Sequence, residues 1–233
     1  MLLFATFLSL AVGCPSVCRC SGRGRVYCND KNLKSIPYGI PVDTKTLFLQ
    51  NNRLINSPEL NSRLSELPQL ERLMLYNNEL VEFPAIRSIT LREMDVNGNQ
   101  IERVSNLVKL NNLDRLNLDD NSLSTSHLDF SGMPHLRQLS LNKNLLSTFP
   151  TGLPASIENL ILSNNKITTI SAKSVESLSS VQNLRLDHNK INDQVKFFPK
   201  FFYKNFLFLK FFYHDSKMTG LNTLIARSTR INF

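Results

Sequence analysis

The sequence predicts an α/β solenoid, in which short parallel strands line one face and helical or extended segments line the other. Three observations lead to this fold class. A leucine-rich motif recurs seven times in the middle of the chain, four cysteines lie together ahead of it, and an apolar segment precedes the cysteines. Stacked repeats bury their apolar side chains only against neighbouring repeats, so the stack needs several copies and a cover at its ends. We therefore predict a leucine-rich-repeat solenoid, a curved parallel β-sheet with an N-terminal disulfide-bonded cap.

The first segment, residues 1–13, has the features of a signal peptide. It is an apolar run with Ala11 and Gly13 at the −3 and −1 positions before Cys14, as a signal-peptidase cleavage site requires. Secretion would place the chain where disulfides form and persist. The alternatives are a buried helix and a bacterial lipoprotein signal in which Cys14 carries the lipid.

The cysteines predict a stapled cap over residues 14–42. Their spacing is C-x3-C-x-C-x7-C, and the segment runs directly into the first repeat. Four cysteines allow three pairings, and each bridge over so short a loop contributes about 2–3 kcal/mol. A metal site is the alternative, but secretion and the absence of His among residues 1–126 disfavour it. The four residues are Cys14, Cys18, Cys20 and Cys28.

Residues 43–192 hold the seven repeats, each matching L-x-x-L-x-L-x-x-N-x-L with Leu, Ile, Val or Met at the apolar positions. Alternating apolar residues such as Leu73 and Leu75 predict a short strand with one inward face, and Leu80 returns to the same core. The Asn amide can pair backbone groups at the inner turn, so we expect an Asn ladder between repeats, with a direct ligand role as the alternative. These residues are Asn52, Asn78, Asn99, Asn121, Asn144, Asn165 and Asn189.

The segments between the motifs differ in kind. Residues 171–180 are compatible with a helix, whereas 81–89 and 147–157 contain proline and favour extended backbone. Such a mixture bends a solenoid with its strands on the concave side.

Solvent-facing strand residues form the candidate binding surface on that side. The surface begins apolar and then becomes acidic with embedded arginines. Aromatic and Arg side chains dominate many interfaces, so we predict a protein-binding face; the alternative is a solvated strand face without a partner. The candidate partner-binding residues are Phe48, Arg72, Met74, Tyr76, Glu93, Asp95, Arg115, Asn117, Asp119 and Arg185.

No catalytic constellation is recognisable in the sequence. The four histidines, at positions 127, 135, 188 and 214, lack an adjoining nucleophile, orienting acid or metal-ligand spacing. Asp95, Asp119 and Asp120 could form acid–base pairs, but a repeat surface gives them no enclosed pocket. We predict a protein without enzymatic activity, cofactor or metal.

The last segment, residues 193–233, departs from the repeat pattern. It contains nine of the fifteen Phe, and residues 196–233 carry seven Lys/Arg against one acid, which leaves a net charge of +2 for residues 1–195. The basic excess is therefore concentrated in the tail, and nucleic acid is not a predicted partner. We interpret the tail as non-native sequence from an intron or a mispredicted exon, or as disordered. The alternatives are a membrane-associating basic-aromatic segment and an unusual C-terminal cap.

Three features resemble the small leucine-rich proteoglycans of the decorin, lumican and podocan type: the cap CPSVCRC…VYC, the run IPYGIP and units such as FPTGLPASIENLILSNNKI. The resemblance implies a family member that is truncated at the C-terminus. The resemblance covers residues 14 to about 192. It implies a secreted horseshoe of the extracellular matrix, the pairings Cys14–Cys20 and Cys18–Cys28, and binding of fibrillar collagen, in some members also of growth factors.

Receptors with leucine-rich ectodomains have similar caps. The alternative is therefore an incomplete ectodomain of a leucine-rich-repeat cell-surface or immune receptor, which a downstream membrane-spanning helix would distinguish. A leucine-rich enzyme inhibitor is disfavoured because such inhibitors are usually cytosolic and lack this cap. We expect an extracellular protein that binds collagen, or another matrix or signalling protein, through its concave face.

Overall fold

A computed structural model describes residues 13–86, 88–104, 110–128, 130, 133–175 and 178–191. These residues form a solenoid around one nine-stranded sheet, whose strands follow one another in chain order. The first pair, β1 and β2, is antiparallel, and every later neighbour is parallel. The predicted α/β solenoid is confirmed.

The strands are three residues each and the helices are short. The strands are β1 (Arg19–Ser21), β2 (Arg25–Tyr27), β3 (Thr46–Phe48), β4 (Arg72–Met74), β5 (Glu93–Asp95), β6 (Arg115–Asn117), β7 (Gln138–Ser140), β8 (Asn159–Ile161) and β9 (Asn183–Arg185). The helices are α1 (Pro58–Ser65), α2 (Ala172–Val175) and a 3₁₀ turn at Thr125–His127.

The core lies behind the sheet and is built mainly from the motif leucines. In β4 the central Leu73 is fully buried while its neighbours face solvent, and Leu75 and Leu80 are also fully buried. The sequence alternation therefore gives the inward face that it predicts. Fully buried Phe130 and Met133 extend this core between β6 and β7.

Helix α1 belongs to the longest repeat, the one between Asn52 and Asn78. Ser57 caps its N-terminus by accepting a hydrogen bond from the Leu60 amide at 3.0 Å, and Pro58 occupies the first helical position, where a missing amide proton costs nothing. Leu60 and Leu64, one turn apart, are buried against the core. The second helix, α2, lies within the segment whose sequence is compatible with a helix.

The cap continues the sheet and is stapled by two disulfides. Cys14 pairs with Cys20 and Cys18 with Cys28, at Cα separations of 5.7 and 4.5 Å, which confirms the pairing that the family resemblance implies. Cys28 is fully buried. Because β2 pairs in parallel with β3, the cap covers the open edge of the first repeat.

The Asn ladder is present and joins every repeat to the one before it. The Asn121 amide group donates to the carbonyls of Val96 and Leu118, both at 3.1 Å, and its oxygen accepts from the Ile101 amide at 2.9 Å. One side chain thus pairs backbone atoms of two successive repeats. The same pattern recurs at Asn52, Asn78, Asn99, Asn144, Asn165 and Asn189.

The residue before each ladder Asn has a left-handed backbone. Its φ lies between 51° and 61° in all seven repeats, a region that Gly, Asn, Asp and His adopt more easily than other residues. Six of the seven are of those types, and Lys143 is not. At Gly98 a side chain would also collide with the Asn77 side-chain oxygen. The seven residues are Asn51, Asn77, Gly98, Asp120, Lys143, Asn164 and His188.

The predicted leader, up to residue 12, and the predicted tail from residue 193 lie outside the described residues. Within the described part of the chain, no helix is sufficiently long and apolar to cross a bilayer.

We predict that Asn121→Ala lowers the free energy of unfolding by about 3 kcal/mol or more, because it leaves several buried backbone groups without partners. Urea unfolding followed by circular dichroism measures this. The matched control is Asn112→Ala: Asn112 is exposed and donates one hydrogen bond, to the Ile89 carbonyl, so we expect a loss below about 1 kcal/mol. Equal losses in the two variants would contradict the ladder's structural role.

We also predict that Lys143→Asn raises the free energy of unfolding by about 1 kcal/mol, because Asn adopts a left-handed backbone at lower cost than Lys. The 4.0 Å ion pair between Lys143 and Asp120, which this change removes, is exposed and contributes little. Thermal unfolding measures the gain. Lys190→Asn, at an exposed position outside the left-handed row, is the control, and a similar gain there would refute the backbone explanation.

Candidate protein-binding face

The side of the sheet opposite the core, called here the strand face, presents its side chains in three straight rows. Parallel pairing without offset places equivalent residues of successive repeats beside one another. The first row is Arg25, Thr46, Arg72, Glu93, Arg115, Gln138, Asn159 and Asn183, and the central row is Tyr27, Phe48, Met74, Asp95, Asn117, Ser140, Ile161 and Arg185. The third row follows the strands and includes Tyr76, Asn97, Asp119 and Asn142.

An aromatic patch, consisting of Tyr27, Phe48, Met74 and Tyr76, occupies the N-terminal end of the strand face. The rings of Tyr27 and Phe48 stack in parallel with centroids 4.6 Å apart. The guanidinium of Arg19 lies over the Tyr27 ring, 4.6 Å from its centroid. Met74 is the next residue of the same row. The patch is thus preorganised by aromatic stacking and a cation–π contact.

A ladder of opposite charges continues the face beyond the aromatic patch. The Glu93 carboxylate lies 3.1 Å from the Arg72 guanidinium and 3.4 Å from that of Arg115. Arg115 also approaches Asp114 at 3.6 Å, and Arg137 lies 3.8 Å from Asp114 and Glu158. These pairs are at least partly exposed, so each contributes little to stability, but together they fix a pattern of alternating charge.

Two carboxylates sit deeper in the same face. Asp95 accepts hydrogen bonds from the Asn97 amide at 3.0 Å and the Asn117 side chain at 3.2 Å. Asp119 accepts from the Ser140 hydroxyl at 2.6 Å and the Asn142 amide at 2.7 Å.

Burial raises the pKa of both carboxyls above the ordinary value of 3.8, and the hydrogen bonds offset only part of this effect. Repulsion adds to the rise: Asp119 acts on the pKa of Asp95, and Asp120 on that of Asp119.

The structure places all ten sequence-predicted residues on the strand face, but it brings only nine of them together. Phe48, Met74 and Tyr76 belong to the aromatic patch, and the charged and amide residues from Arg72 to Asp119 follow on β4 to β6 and the turns after them. Arg185 lies on β9, separated from Asn117 in the central row by Ser140 and Ile161.

Sequence reasoning missed Tyr27 and Arg19, because it began the strand face at the first repeat. The cap strands supply both residues, and Tyr27 heads the central row. The alternation of Arg25, Val26 and Tyr27, with buried Val26 between two outward residues, is the signal that could have identified the cap strand.

A second concavity lies away from the strand face, between the cap and α1. It encloses about 380 Å³ and is lined by residues including Tyr38, Val42, Glu59, Arg63 and Leu67. The Arg63 guanidinium sits 3.4 Å from the centroid of the Tyr38 ring and pairs with Glu59. Across the described ranges, no group of three or more His, Cys, Asp or Glu side chains is arranged to hold a metal ion.

Two family models match parts of the chain. The model of the leucine rich repeat N-terminal domain matches residues 13–41, and a leucine rich repeat model matches residues 147–191. The first match falls on the disulfide-stapled segment and the second on two of the ladder repeats.

Known relatives match most of the chain. The leucine-rich repeat transmembrane protein FLRT2 of Homo sapiens is 36% identical over 192 residues, which cover 80% of this chain and 29% of FLRT2. Keratocan of Gallus gallus is 34% identical, covering 77% of this chain and 60% of keratocan. Lumican of Homo sapiens is 29% identical, covering 77% of this chain and 61% of lumican. The chain thus spans less than two thirds of the length of each relative.

The solved FLRT2 leucine-rich-repeat domain is similar in structure as well, with a TM-score of 0.73 at 36% identity over 78% of this chain and 57% of that one. Keratocan and lumican are small leucine-rich proteoglycans, and these homologues are extracellular or cell-surface proteins rather than enzymes. With its N-terminal cap and its ladder of repeats, the chain is a leucine-rich-repeat protein, homologous to the small leucine-rich proteoglycans and to the FLRT2 ectodomain.

Proposed function

We propose that this protein binds another extracellular protein through its strand face. The observation that carries the proposal is the aromatic patch, in which Tyr27 and Phe48 stack beside Met74 on an outward surface. Outward-facing residues of a sheet do not contribute to the core, so a stacked aromatic pair on this surface favours a contact with another molecule.

The patch and the charges beside it fit different parts of an interface. Aromatic side chains bury much area at low entropic cost and are common anchors, and Arg19 adds a cation already held over a ring. The alternating ladder from Arg72 to Glu158 would set the register of a partner, since matched charges favour one alignment and oppose others.

The buried carboxylates support the same proposal. Asp95 and Asp119 have raised pKa values because burial disfavours their charged forms, so at neutral pH each costs folding stability. Charges that weaken the fold while facing outward are expected where binding requires them. A partner that places Lys or Arg against these carboxylates would recover this cost.

Fibrillar collagen is the partner we propose first. Similarity to keratocan and lumican supports an extracellular-matrix protein of the small leucine-rich proteoglycan type. Collagen carries rows of Lys, Arg and acidic side chains, which complement an alternating charge ladder. Growth factors are a further partner class that the same family resemblance implies.

A second candidate function is that of a cell-surface receptor ectodomain. It is favoured by the similarity to FLRT2, whose leucine-rich-repeat domain has been solved in an octameric complex with Latrophilin 3 (Lec, Olf) and Unc5D (Ig, Ig2, TSP1). For this function the partner would be a cell-surface protein of that kind, bound through the same strand face.

We predict that the full chain binds reconstituted collagen fibrils and that Phe48→Ala with Met74→Ala weakens binding at least tenfold, as expected for anchor residues. Biolayer interferometry measures this, with the Latrophilin 3 and Unc5D fragments tested in parallel. The control is Ile89→Ala, which removes an exposed apolar side chain off the strand face and should leave binding unchanged. Binding to those fragments alone would favour the receptor function, and equal affinity of both variants would contradict the strand face as the site.

We predict that Asp119→Asn raises the free energy of unfolding at pH 7. The gain should be on the order of 1 kcal/mol or less, because the carboxylate is only partly buried and solvent screens its charge. The folded chain binds more protons than the unfolded chain between pH 3.8 and the raised pKa of Asp119. Wild-type stability is therefore lost as the pH rises through this interval, and the variant's advantage should disappear below pH 3.8.

Chemical denaturation across this pH range tests the prediction. Asp43→Asn is the charge-matched control, because Asp43 is exposed and is not among the groups that act on the pKa of Asp119. A wild-type protein that is more stable than Asp119→Asn at pH 7 would refute the cost assigned to the buried carboxylate.

A further inference from the structure

The cap carries a local excess of positive charge. Residues 14–42 contain five Lys/Arg and one acid, whereas residues 43–195 contain fifteen Lys/Arg and seventeen Asp/Glu. The solenoid is thus slightly acidic and the cap over its N-terminal end is strongly basic. A chain with this distribution presents a positive surface at one end whatever its total charge.

Three of these cations lie in the hairpin formed by β1 and β2. Arg19, Arg23 and Arg25 are all exposed, and none forms an ion pair with any residue that the structure describes. Along the repeats, by contrast, the arginines of the charge ladder each face a carboxylate. The alternation of charge that neutralises the repeats therefore stops at the cap.

The hairpin holds these arginines in place. Arg19 pairs with Tyr27 across the two strands and lies over its ring, and Ser21 pairs with Arg25. Arg19 and Arg25 are therefore on the same side of the hairpin, since outward residues alternate along a strand. A cation stacked on an aromatic ring keeps its N–H edge available for an anion.

The tip of the hairpin is fixed as well. Arg23 has a φ of 67° and Gly24 one of 66°. A side chain at position 24 would meet the Asp43 carbonyl oxygen at 2.6 Å and the Lys45 amide at 3.0 Å. The tip therefore packs closely against residues 43–45. Arg23 has a left-handed backbone, which costs energy for a non-glycine residue.

We propose that this hairpin is a binding site for sulfated polysaccharide, with Arg19, Arg23 and Arg25 contacting the sulfate groups. Guanidinium groups bind tetrahedral oxyanions through paired N–H donors. Two charged residues, Asp43 and Lys45, pack against Gly24 at the hairpin tip, and Lys45 pairs with Glu71 at 3.3 Å. The Lys45 pair is exposed, so the lysine can turn to a sulfate at little cost.

A sulfated chain fits this site better than a small anion does. The three arginines are spread along an open hairpin and do not converge on one buried pocket, so a single sulfate would touch only part of them. A polymer that engages several at once gains affinity from each additional contact. Sulfated polysaccharides are also the polyanions of the extracellular space, where the homologues of this chain are found.

Heparin binding by the full chain tests the proposal. We expect Arg23→Asn with Arg25→Gln to weaken heparin binding at least tenfold at about 0.1 M NaCl, with a shallower dependence of affinity on salt because fewer counterions are released. Asn is chosen at position 23 because it tolerates the left-handed backbone. Lys31→Gln with Lys34→Gln is the matched control, since it removes two charges from the same cap away from the hairpin. We expect this control to keep near-wild-type affinity.

Three results would overturn the proposal. Equal losses in the two double variants would mean that net charge alone attracts heparin, and no loss in either would place heparin binding elsewhere, including in the basic tail. Displacement of heparin by inorganic sulfate at matched ionic strength would indicate a small-anion site only. Hyaluronan, an anionic polysaccharide without sulfate groups, tests whether sulfate is required, and we expect it not to bind. Unchanged circular dichroism and thermal midpoint in each variant show that the cap remains folded.

Discussion

The structure depends on one interaction, the hydrogen bonding of the ladder asparagines between successive repeats. Each of these side chains donates to a carbonyl of its own repeat and to one of the preceding repeat, and accepts from an amide of that preceding repeat. An amide is the only uncharged side-chain group with both donors and an acceptor suited to this task. The residue before it is left-handed in every repeat, which turns the backbone after each strand. Turn geometry and ladder therefore form one device, repeated seven times.

This device determines the strand face without contributing a side chain to it. Since every repeat is tied to its neighbour at the same atoms, the strands pair without offset and their outward residues form straight rows. Straight rows are what allow Tyr27 to stack on Phe48, and Glu93 to lie between two arginines. The cap takes part because β2 pairs with β3 in the same register as the repeats. Recognition features thus extend from the repeats into the disulfide-stapled segment.

The sequence was sufficient to predict the features that recur in every repeat, but not the features that occur at one place only. Seven asparagines in phase predicted the ladder, the leucine alternation predicted the strands, and outward positions such as Phe48 and Arg115 could be assigned because they follow from the period. The left-handed residues were not predicted, and Lys143 gives no local signal for such a backbone. Tyr27 was missed because the cap has no repeat period. The pairing of Arg137 with both Asp114 and Glu158 depends on side-chain conformations that a sequence pattern does not contain.

The separation of inward-facing from outward-facing residues also explains how this fold can keep groups on its surface that lower its stability. The stability of a solenoid is a sum over repeats and their interfaces, so a cost at one outward position remains local. Asp95 and Asp119 can therefore stay partly buried and charged, because the asparagines behind them maintain the register without help from the face. In the cap, two disulfides hold the hairpin in place of surface ion pairs. Arg19, Arg23 and Arg25 therefore need no acidic partner for the cap to fold. Outward-facing residues that the fold does not need for its stability are the ones available to a binding partner.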